Sequence, residues 1–580
     1  MDFKELKDSY DQLDSIEEHF KLEAGPGAGK TTFLANHVKR VLLESKRLKS
    51  TRKIACITYT NVGVQSLRER LGNTAHEVEV STIHSFLYRH VLKPYFWLLD
   101  EWPFENNSIP TLFRQRLPGN YINDILKETG DLYLIYTYKI PRYNIRETLE
   151  SAKWIKEKNE YVFKVYYHKR RYEVHDDNNQ LKELRLKEKN IELYRKKCHE
   201  EGILLYEDVI YYSYVLLKKH PELQEIIRAK FPYMFVDEFQ DTTSLQTDIL
   251  KLLAKKEMII GVIGDRAQSI YHFSGATVED FIDWELPGIK KYYIAQNRRS
   301  HASIVKVLNG FKTKDELKQY PIRSKLGDNR PLILPGTLQE ATIYCRGKWG
   351  KDLSVLGYNF DLTVESYNPN IKRLPFRNFL HFLSNDKKRG RKIRGTLKAI
   401  EAFKQLDYPK AMEKIKAIQK RDGEIDEIEA LKYLEIIRKT YKEYLDKPVR
   451  KYYNNILYKQ QLIEVPELSE RGKAWKVYEL TVKDALSSIK VEDRKYDEVQ
   501  TIHSMKGDET NNVLVAIPVE HTQFLLKPDL SKENHRIHFV AASRAKENLA
   551  FQVDPGEIEK IKTSIDKDLF KIIDRKDVKL

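Results

Sequence analysis

Cysteine is scarce in this chain of 580 residues. The three cysteines, Cys56, Cys198 and Cys345, are widely separated along the sequence. They cannot supply a four-cysteine zinc or iron–sulfur site, and they do not make a disulfide framework. Such usage is typical of proteins from a reducing interior, so we expect a cytoplasmic protein.

Long apolar runs are missing as well. No window approaches about eighteen uninterrupted apolar residues, so the sequence predicts no membrane span. Residues 1–20 alternate acidic and basic side chains and lack the apolar core of a signal peptide. With 41% apolar and 32% charged residues the composition is that of a globular protein. A chain of this length is expected to form about two to four domains.

The charge balance is basic. Lysine and arginine number 101 against 85 acidic residues, which gives a formal net charge of +16. This excess suits a polyanionic partner such as nucleic acid, because each neutralised phosphate releases counterions. Many basic proteins bind no nucleic acid, so composition alone leaves both interpretations open.

Short β-rich runs alternate with helical patterns near both ends of the chain. The clearest runs are 53–58, 233–237, 258–264, 352–357, 513–517 and 549–553. A weaker run at 19–23 precedes the first glycine-rich segment, and 554–580 have the pattern of an amphipathic helix and tail. This alternation predicts an α/β fold with parallel sheets.

Two stretches of different composition interrupt the alternation. Residues 89–200 are aromatic and basic and end in a Lys/Glu-rich helical pattern from Gln180 to Cys198. Residues 361–485 are helical and charged and include a run, Lys387–Arg394, in which six of eight residues are basic. That run suits contact with a nucleic-acid backbone or with a partner. The alternative is that its charges are only solvated.

We therefore predict two α/β cores, each interrupted by an inserted, mainly helical piece. The predicted pieces are a first core of 1–88 and 201–297 with the insertion 89–200, and a second core of 298–360 and 486–580 with the insertion 361–485.

A glycine-rich segment, Ala-Gly-Pro-Gly-Ala-Gly-Lys-Thr, occupies 24–31 and precedes a helical pattern. Closely spaced glycines let backbone N–H groups face a phosphate, and the helix presents its positive end to it. Lys30 would reach the β- and γ-phosphates, and the Thr31 hydroxyl would ligate Mg²⁺. Ala24 stands where the strict pattern has glycine, and the alternative is a glycine-rich turn that precedes a lysine by chance. The predicted nucleotide-binding residues here are Ala24, Gly25, Pro26, Gly27, Ala28, Gly29, Lys30, Thr31 and Thr32.

The β-rich run 233–237 ends in two acidic residues, Asp237 and Glu238. Asp237 can hold Mg²⁺ through water, and Glu238 can take a proton from an attacking water. The alternative is a pair of solvated loop carboxylates. The longer string Asp-Glu-Phe-Gln-Asp-Thr at 237–242 argues against that alternative, because such a string seldom arises by chance.

These strings resemble the motifs of the UvrD/Rep/PcrA branch of superfamily 1 helicases. Further segments resemble the family's motifs in the expected order, and the resemblance covers about half the chain. The segments are Ile57–Asn61, Ser81–Phe86, Gly264–Ala276, Gln296–Ser300, Thr501–Glu509 and Val540–Ala545.

The resemblance implies two RecA-like parallel-sheet cores, with ATP and Mg²⁺ held between them. Gln268 would sense the γ-phosphate, while Arg299 and Arg544 would act as arginine fingers. Glu509 would contact the ribose. Gln12, the only glutamine upstream of the phosphate loop, is the candidate for reading adenine.

The family's contacts to single-stranded DNA are carried over to residues at or near matching motif positions. They are Thr58, Tyr59, Asn61, His84, Phe86, Tyr271, Phe273 and His503. Aromatic side chains suit a motor because every base has a π-face on which to stack. The alternative for each aromatic residue taken singly is a place in the hydrophobic core.

The resemblance implies an ATP-dependent translocase or helicase with 3′-to-5′ polarity on single-stranded or tailed DNA. Several residues depart from the family pattern. Arg298 stands where an adenine-stacking tyrosine is usual, Phe273 and Ser274 replace Trp and Arg, and Asp508 replaces an apolar residue. A guanidinium plane can also stack on a base.

The second insertion is also short for the family. A second hypothesis is therefore a DNA-stimulated regulatory ATPase beside a nuclease subunit, because compact UvrD-like proteins occur in anti-phage systems such as Gabija. A small-molecule kinase is a third. Preference for DNA over RNA is left open.

Overall fold

The computed structural model describes residues 3–49, 51–104, 109–110, 117, 119–138, 140, 142–158, 160–166, 170–175, 181–271, 275–314, 316–324, 329–367, 379, 383, 386, 389–404, 407–419, 427–460, 467–468, 478–492 and 499–578. The chain folds into two compact units. Unit 1 comprises Met1–Leu326 and Asp529–Ser543, and unit 2 comprises Gly327–Pro528 and Arg544–Leu580.

Unit 1 is built on a seven-stranded sheet and three small two-stranded sheets. Its strands are β1 Lys4–Leu6, β2 Phe20–Ala24, β3 Ile54–Thr58, β4 Val78–Thr82, β5 Lys153–Glu157, β6 Glu160–Lys164, β7 Arg171–His175, β8 Leu181–Arg185, β9 Tyr233–Val236, β10 Ile259–Gly264, β11 Lys290–Ile294, β12 Gln296–His301 and β13 Tyr320–Arg323.

The large sheet has the strand order β1-β11-β2-β10-β9-β3-β4, and all its neighbouring strands are parallel. Every residue of its inner strands β2, β10, β9 and β3 is buried. Continuous apolar runs are required there because helices cover both faces of a parallel sheet. The predicted runs at 53–58, 233–237 and 258–264 correspond to β3, β9 and β10, and even the weak run before the glycine-rich segment forms β2.

Helices and short helical turns connect these strands. The α-helices of unit 1 are Lys30–Glu44, Asn61–Leu71, Ile83–Leu87, Lys93–Tyr95, Gly119–Thr129, Tyr133–Tyr136, Arg142–Glu150, Lys189–Glu200, Tyr206–Lys219, Pro221–Lys230, Ser244–Leu253, Val278–Ile282, Ala302–Gly310 and Glu533–Ala542. Single turns of other helix types are Gly72–Glu77, Tyr88–Leu92, Phe96–Leu98, Phe239–Asp241 and Arg266–Gln268.

The stretch 89–200 contains two antiparallel hairpins, β5–β6 and β7–β8, in addition to helices. The helical pattern predicted from Gln180 to Cys198 is wrong in its first part, because 181–185 form β8 and the helix begins at Lys189. Pairing with β7 overrides helix propensity here, and Leu184 and Leu186 are buried with a period of two.

Unit 2 is built on a six-stranded parallel sheet with the order β16-β15-β17-β18-β14-β19. Its strands are β14 Leu332–Pro335, β15 Ser354–Gly357, β16 Val499–Thr501, β17 Thr510–Ala516, β18 Ala545–Val553 and β19 Lys571–Ile572. The prediction of an α/β fold with two RecA-like parallel-sheet cores is confirmed. The C-terminal part is more than the predicted helix and tail, because β19 extends the sheet.

The helices of unit 2 include those of the stretch 361–485. They are Leu338–Trp349, Phe360–Tyr367, Gly390–Lys404, Tyr408–Gln419, Glu427–Thr440, Val449–Tyr452, Val482–Glu492, Gln523–Leu526, Ile558–Ser564 and Arg575–Val578, with turns of other helix types at Tyr441–Tyr444, Tyr453–Tyr458, Val519–His521 and Pro555–Glu557. None of the helices in the described part of the chain is long and apolar enough to cross a membrane.

The basic run Lys387–Arg394 lies only partly within the described residues. Lys387 and Lys388 fall outside them, and the rest leads into the helix that begins at Gly390. Ile393 is buried, and the Arg391 guanidinium donates to the Ala417 carbonyl oxygen at 2.9 Å. Part of the run therefore packs within unit 2.

Candidate nucleotide and nucleic-acid site

The glycine-rich segment follows β2 and turns directly into the helix Lys30–Glu44. Gly27 and Gly29 have φ angles of 70° and 86°, which are left-handed values that favour glycine. A Cβ atom on Gly27 would lie 2.5 Å from the Cβ of Arg299 and 2.8 Å from Asn297 Oδ1. Glycine is therefore required at Gly27 by conformation and by space.

The helix Lys30–Glu44 begins without a side-chain cap among the described residues, and its first turn holds no acidic residue. Its first N–H groups point out of the helix end and suit an anion. Lys30 Nζ donates to the Ala24 carbonyl oxygen at 3.3 Å and lies 4.0 Å from Glu238 Oε1. A phosphate would therefore meet a helix terminus and an ammonium group together.

Thr31 and Asp237 come together from different elements. Thr31 Oγ1 donates to Asp237 Oδ2 at 3.4 Å, and the Asp237 backbone N–H donates to the Ile57 carbonyl oxygen. Burial and the neighbouring Glu238 carboxylate raise the pKa of Asp237, while the Lys30 ammonium lowers it. One hydroxyl and one carboxylate beside a phosphate loop suit Mg²⁺, which takes few protein oxygens and keeps several waters.

Glu238 has a φ of 53°, which places a non-glycine residue in the left-handed region. Its Oε2 accepts from Gln240 Nε2 at 2.6 Å, and Gln240 Oε1 accepts from the Asp265 backbone N–H at 3.0 Å. Asp265 Oδ2 in turn accepts from Gln268 Nε2 at 2.6 Å. A chain of hydrogen bonds therefore connects Glu238 to Gln268.

Strand β12 lies against the glycine-rich segment. Asn297 Nδ2 donates to the Pro26 carbonyl oxygen at 2.7 Å, and the Arg298 backbone N–H donates to the Gly27 carbonyl oxygen at 3.0 Å. The Arg299 guanidinium donates to the Ser543 carbonyl oxygen at 3.3 Å. Arg299 thus lies beside the phosphate loop within unit 1.

The Arg298 side chain meets the N-terminal segment. Its guanidinium lies 5.2 Å from the centre of the Tyr10 ring and pairs with the Asp8 carboxylate. Tyr10 is 63% exposed, and Gln12 is also exposed. A cation–π pair therefore lies next to the glycine-rich segment.

Two predicted nucleic-acid residues stack on each other. The Tyr59 and Tyr271 rings are 5.1 Å apart between centroids with an interplanar angle of 24°. Tyr59 is 36% exposed, and Asn61 is exposed at the start of the next helix. Thr58 is buried, and its hydroxyl donates to the Thr60 carbonyl oxygen.

The other aromatic residues predicted in unit 1 have different surroundings. Phe86 is fully buried and packs against His90 and Phe231, so its assignment to a base-stacking role is wrong. His84 packs edge-on against Tyr206, and burial lowers its pKa to about 4, with a smaller effect of the Lys153 charge. Phe273 lies outside the described residues.

The remaining predicted residues belong to unit 2. Arg544 is buried, and its guanidinium donates to the Asp508 carbonyl oxygen at 3.4 Å. Glu509 pairs with Lys546 at 2.7 Å. His503 lies edge-on to Tyr358, with ring centroids 6.5 Å apart.

Three residues near these groups were not predicted. They are Tyr10, Gln240 and Arg536. Arg536 is a buried arginine that donates to the Ser269 carbonyl oxygen at 2.6 Å. Gln240 lies inside the Asp237–Thr242 string, which is a signal that could have found it. Tyr10 and Arg536 are far in sequence from the groups that they contact.

A parallel sheet, a glycine-rich loop before a helix, and an Asp-Glu pair at the end of a strand of the same sheet are the arrangement typical of phosphate-loop nucleotide-binding proteins. Residues 7–285 match the family model described as UvrD/REP helicase N-terminal domain. This part of the chain, nearly half of its length, is therefore similar to the N-terminal domain of UvrD/Rep helicases.

Curated relatives agree with this family. The chain is 29% identical over 297 residues to the ATP-dependent DNA helicase PcrA of Bacillus subtilis, which covers 50% of this chain and 36% of the relative. It is 28% identical over 292 residues to the protein of the same name from Staphylococcus epidermidis, with 49% and 37% covered. The same name in Staphylococcus aureus gives 28% over 304 residues, again with 49% and 37% covered. The matched part thus spans little more than a third of these relatives.

Proposed function

We propose that this chain is an ATP-dependent translocase on single-stranded DNA that moves 3′-to-5′ and separates duplex strands. The observation that carries the proposal is the hydrogen-bonded chain from Glu238 through Gln240 and Asp265 to Gln268. It joins the candidate hydrolytic carboxylate to the segment that carries Tyr271. The relatives named ATP-dependent DNA helicase PcrA support the same function.

The proposed hydrolytic roles follow from the contacts of each side chain. Glu238 takes the proton from the attacking water, and Lys30 neutralises the phosphate oxygens. Thr31 and Asp237 would hold Mg²⁺, which would supply positive charge to the phosphate oxygens. Arg299, beside the phosphate loop, neutralises charge that develops on the transferred group.

Further roles rest on motif position. Gln268 senses the γ-phosphate, Arg544 is a second arginine finger, and Glu509 contacts the ribose. On the same ground of motif position, we propose that nucleic acid is contacted by His503, Asn61 and Thr58.

The proposed track begins at Tyr59 and Tyr271. Tyr59 is exposed and Tyr271 is partly exposed, so the pair offers a π-face to any base and binding is independent of sequence. Movement of the segment 265–271 between nucleotide states would shift Tyr271 relative to Tyr59. Hydrolysis and stepping would then be coupled through one short segment.

The test is ATPase activity of the purified chain with and without single-stranded DNA. We expect DNA to stimulate turnover, and both Lys30→Ala and Glu238→Gln to abolish hydrolysis, with Glu238→Gln still binding ATP. Displacement of streptavidin from 3′- or 5′-biotinylated strands measures polarity. Undiminished turnover in either variant, or no response to DNA, contradicts the proposal, and parallel assays with RNA decide the preferred track.

The second candidate is a regulatory ATPase that acts with a nuclease subunit in an anti-phage complex. The observation in its favour is the set of residues that depart from the family's motifs: Phe273, Ser274 and Asp508. A weakened grip would leave DNA-stimulated hydrolysis but little unwinding. Strand displacement on tailed duplexes by the isolated chain separates the two, because robust unwinding favours the translocase. ATPase without unwinding, restored or redirected by a co-purified nuclease, favours the regulatory subunit.

A further inference from the structure

Gln240 occupies a fully buried position between Glu238 and Asp265. It lies in the single turn Phe239–Asp241, directly after β9, and none of its side chain is exposed. Its Nε2 donates to Glu238 Oε2 at 2.6 Å, and its Oε1 accepts from the Asp265 N–H at 3.0 Å. The amide therefore has one defined orientation, because a flipped amide would bring donor against donor and acceptor against acceptor.

The space around this amide is also restricted. A Cβ atom on Gly264 would lie 2.6 Å from Gln240 Oε1, so the end of β10 packs directly against the side chain. A tightly packed side chain that is hydrogen-bonded through both its amide nitrogen and its amide oxygen transmits a displacement of one neighbour to the other.

The main chain of Gln240 makes a third connection. Its carbonyl oxygen accepts from Ser269 Oγ at 3.1 Å. The Ser269 carbonyl oxygen accepts from Arg536, and Tyr271 follows two residues later. Gln240 thus contacts the segment 265–271 at two points, Asp265 and Ser269.

We propose that Gln240 is a positioning residue that sets the Glu238 carboxylate according to the state of the segment 265–271. This inference rests on the proposed function. Gln240 holds one carboxylate oxygen, and the other lies on the side of Lys30, 4.0 Å from its ammonium group. Glu238 has a left-handed backbone, and the bond from Gln240 helps to hold its carboxylate in one orientation. DNA bound at Tyr271 would thereby act on hydrolysis through Gln240.

A purely structural role makes a different prediction. If Gln240 only satisfied the buried Asp265 N–H, its loss would weaken folding, ATP binding and DNA binding together. A positioning role predicts that kcat at saturating DNA falls while both binding steps persist. The separation of kcat from KM and from DNA affinity distinguishes them.

Two variants test the amide. Gln240→Glu has the same shape and keeps an oxygen for Asp265, but replaces the donor to Glu238 with an oxygen. Gln240→Asn keeps the amide but is one methylene too short to reach both partners. Gln246→Glu is the matched control, because Gln246 is a buried glutamine whose Oε1 accepts from the Thr243 N–H in a capping box, and glutamate preserves that bond.

The measurements are steady-state ATPase with and without single-stranded DNA, and binding of a fluorescent ATP analogue and of a labelled oligonucleotide. In both Gln240 variants we expect kcat at saturating DNA to fall about tenfold or more. The ratio of DNA-stimulated to basal turnover should fall with it, while KM for ATP and Kd for DNA change less than about threefold. The Gln246→Glu protein should match the wild type.

Wild-type kcat in both variants would overturn the inference, and so would loss of ATP and DNA binding in both. A wild-type protein whose ATPase ignores DNA would instead refute the proposed function itself. Failure of the inference and failure of the function are therefore separate results.

Discussion

Tyr59 and Tyr271 stack on each other across 212 residues of sequence, with ring centroids 5.1 Å apart and planes inclined by 24°. Tyr59 follows β3, whereas Tyr271 ends the segment that begins after β10. The two strands lie on opposite sides of β9, which carries Asp237 and Glu238 at its end. The stacked pair and the candidate hydrolytic carboxylates therefore share the carboxyl edge of one sheet.

Removing either ring of this pair should weaken DNA binding without damaging the ATP site. One base–aromatic stack contributes about 1–3 kcal/mol, so Tyr59→Ala and Tyr271→Ala should each raise Kd for oligonucleotides by about 5- to 150-fold. Basal ATPase without DNA should stay near wild type. Fluorescence anisotropy with labelled oligonucleotides gives Kd, and Tyr133→Ala, at a tyrosine that is 39% exposed in the first insertion, is the control. Equal losses in all three variants would argue against a specific stacking site.

The Arg298–Tyr10 cation–π pair predicts where the nucleotide base binds. A guanidinium backed by an aromatic ring offers a planar surface to a base. We expect Arg298→Ala to raise KM for ATP about tenfold with kcat little changed, because base binding is equal in the ground and transition states. Tyr10→Ala should have the same effect in a smaller degree.

Arg298→Lys is the informative companion, since it keeps the charge facing Asp8 but removes the plane. It should resemble Arg298→Ala if stacking matters, and wild type if charge alone matters. Because stacking tolerates any base, the Arg298→Ala protein should lose affinity for GTP as it does for ATP. An unchanged KM for ATP in Arg298→Ala would place the base elsewhere.

The hydroxyl of Thr31 predicts a defect that depends on magnesium. Thr31→Ala removes the oxygen that lies 3.4 Å from Asp237 Oδ2, leaving the carboxylate as the remaining ligand of this pair. The Mg²⁺ concentration for half-maximal ATPase should rise about tenfold or more. Thr31→Ser retains the hydroxyl and should titrate like wild type. A Thr31→Ser protein as defective as Thr31→Ala would show that the methyl group, and not the hydroxyl, is needed.

The strands predicted correctly are those that short-range sequence determines. Strands β3, β9 and β10 are continuous apolar runs because both faces of a parallel sheet are covered. The phosphate loop is contiguous, so its glycines, lysine and threonine could be read together at 24–31. Asp237 follows β9 for the same local reason.

Long-range packing decides the features that were missed. Phe86 matches a motif but faces the core beside Phe231, and no local pattern distinguishes the two faces of so short a helix. The strand β8 depends on pairing with β7, which a helical composition conceals. Arg298 and Tyr10 are 288 residues apart, so their contact could not be anticipated from spacing.

A buried polar cluster predicts how the first insertion is held against the rest of unit 1. Asp208 is fully buried in the helix Tyr206–Lys219. Its carboxylate accepts from Arg195 Nε at 3.0 Å, from His199 Nε2 at 2.8 Å and from Trp154 Nε1 at 3.3 Å. The cluster thus ties the hairpin β5–β6 and the helix Lys189–Glu200 to a third element.

Asp208→Ala should destabilise unit 1 because it leaves Arg195 and His199 facing a small cavity without their carboxylate. Breaking a buried ion pair costs about 3 kcal/mol or more, which in a unit of this size lowers Tm by about 5 °C. Asp208→Asn keeps an acceptor and the shape, so its effect should be smaller. Limited proteolysis should cut the insertion 89–200 sooner in the alanine variant than in wild type.

Asp100→Ala is the matched control, because Asp100 also pairs with a cation, Lys219, but on the surface with 75% of its side chain exposed. Exposed pairs contribute little, so this variant should leave Tm and the proteolysis pattern unchanged. If Asp208→Ala also melted and was cut like wild type, the cluster would not be what holds the insertion, and apolar contacts such as the Trp154–Tyr211 stack at 3.5 Å would have to suffice.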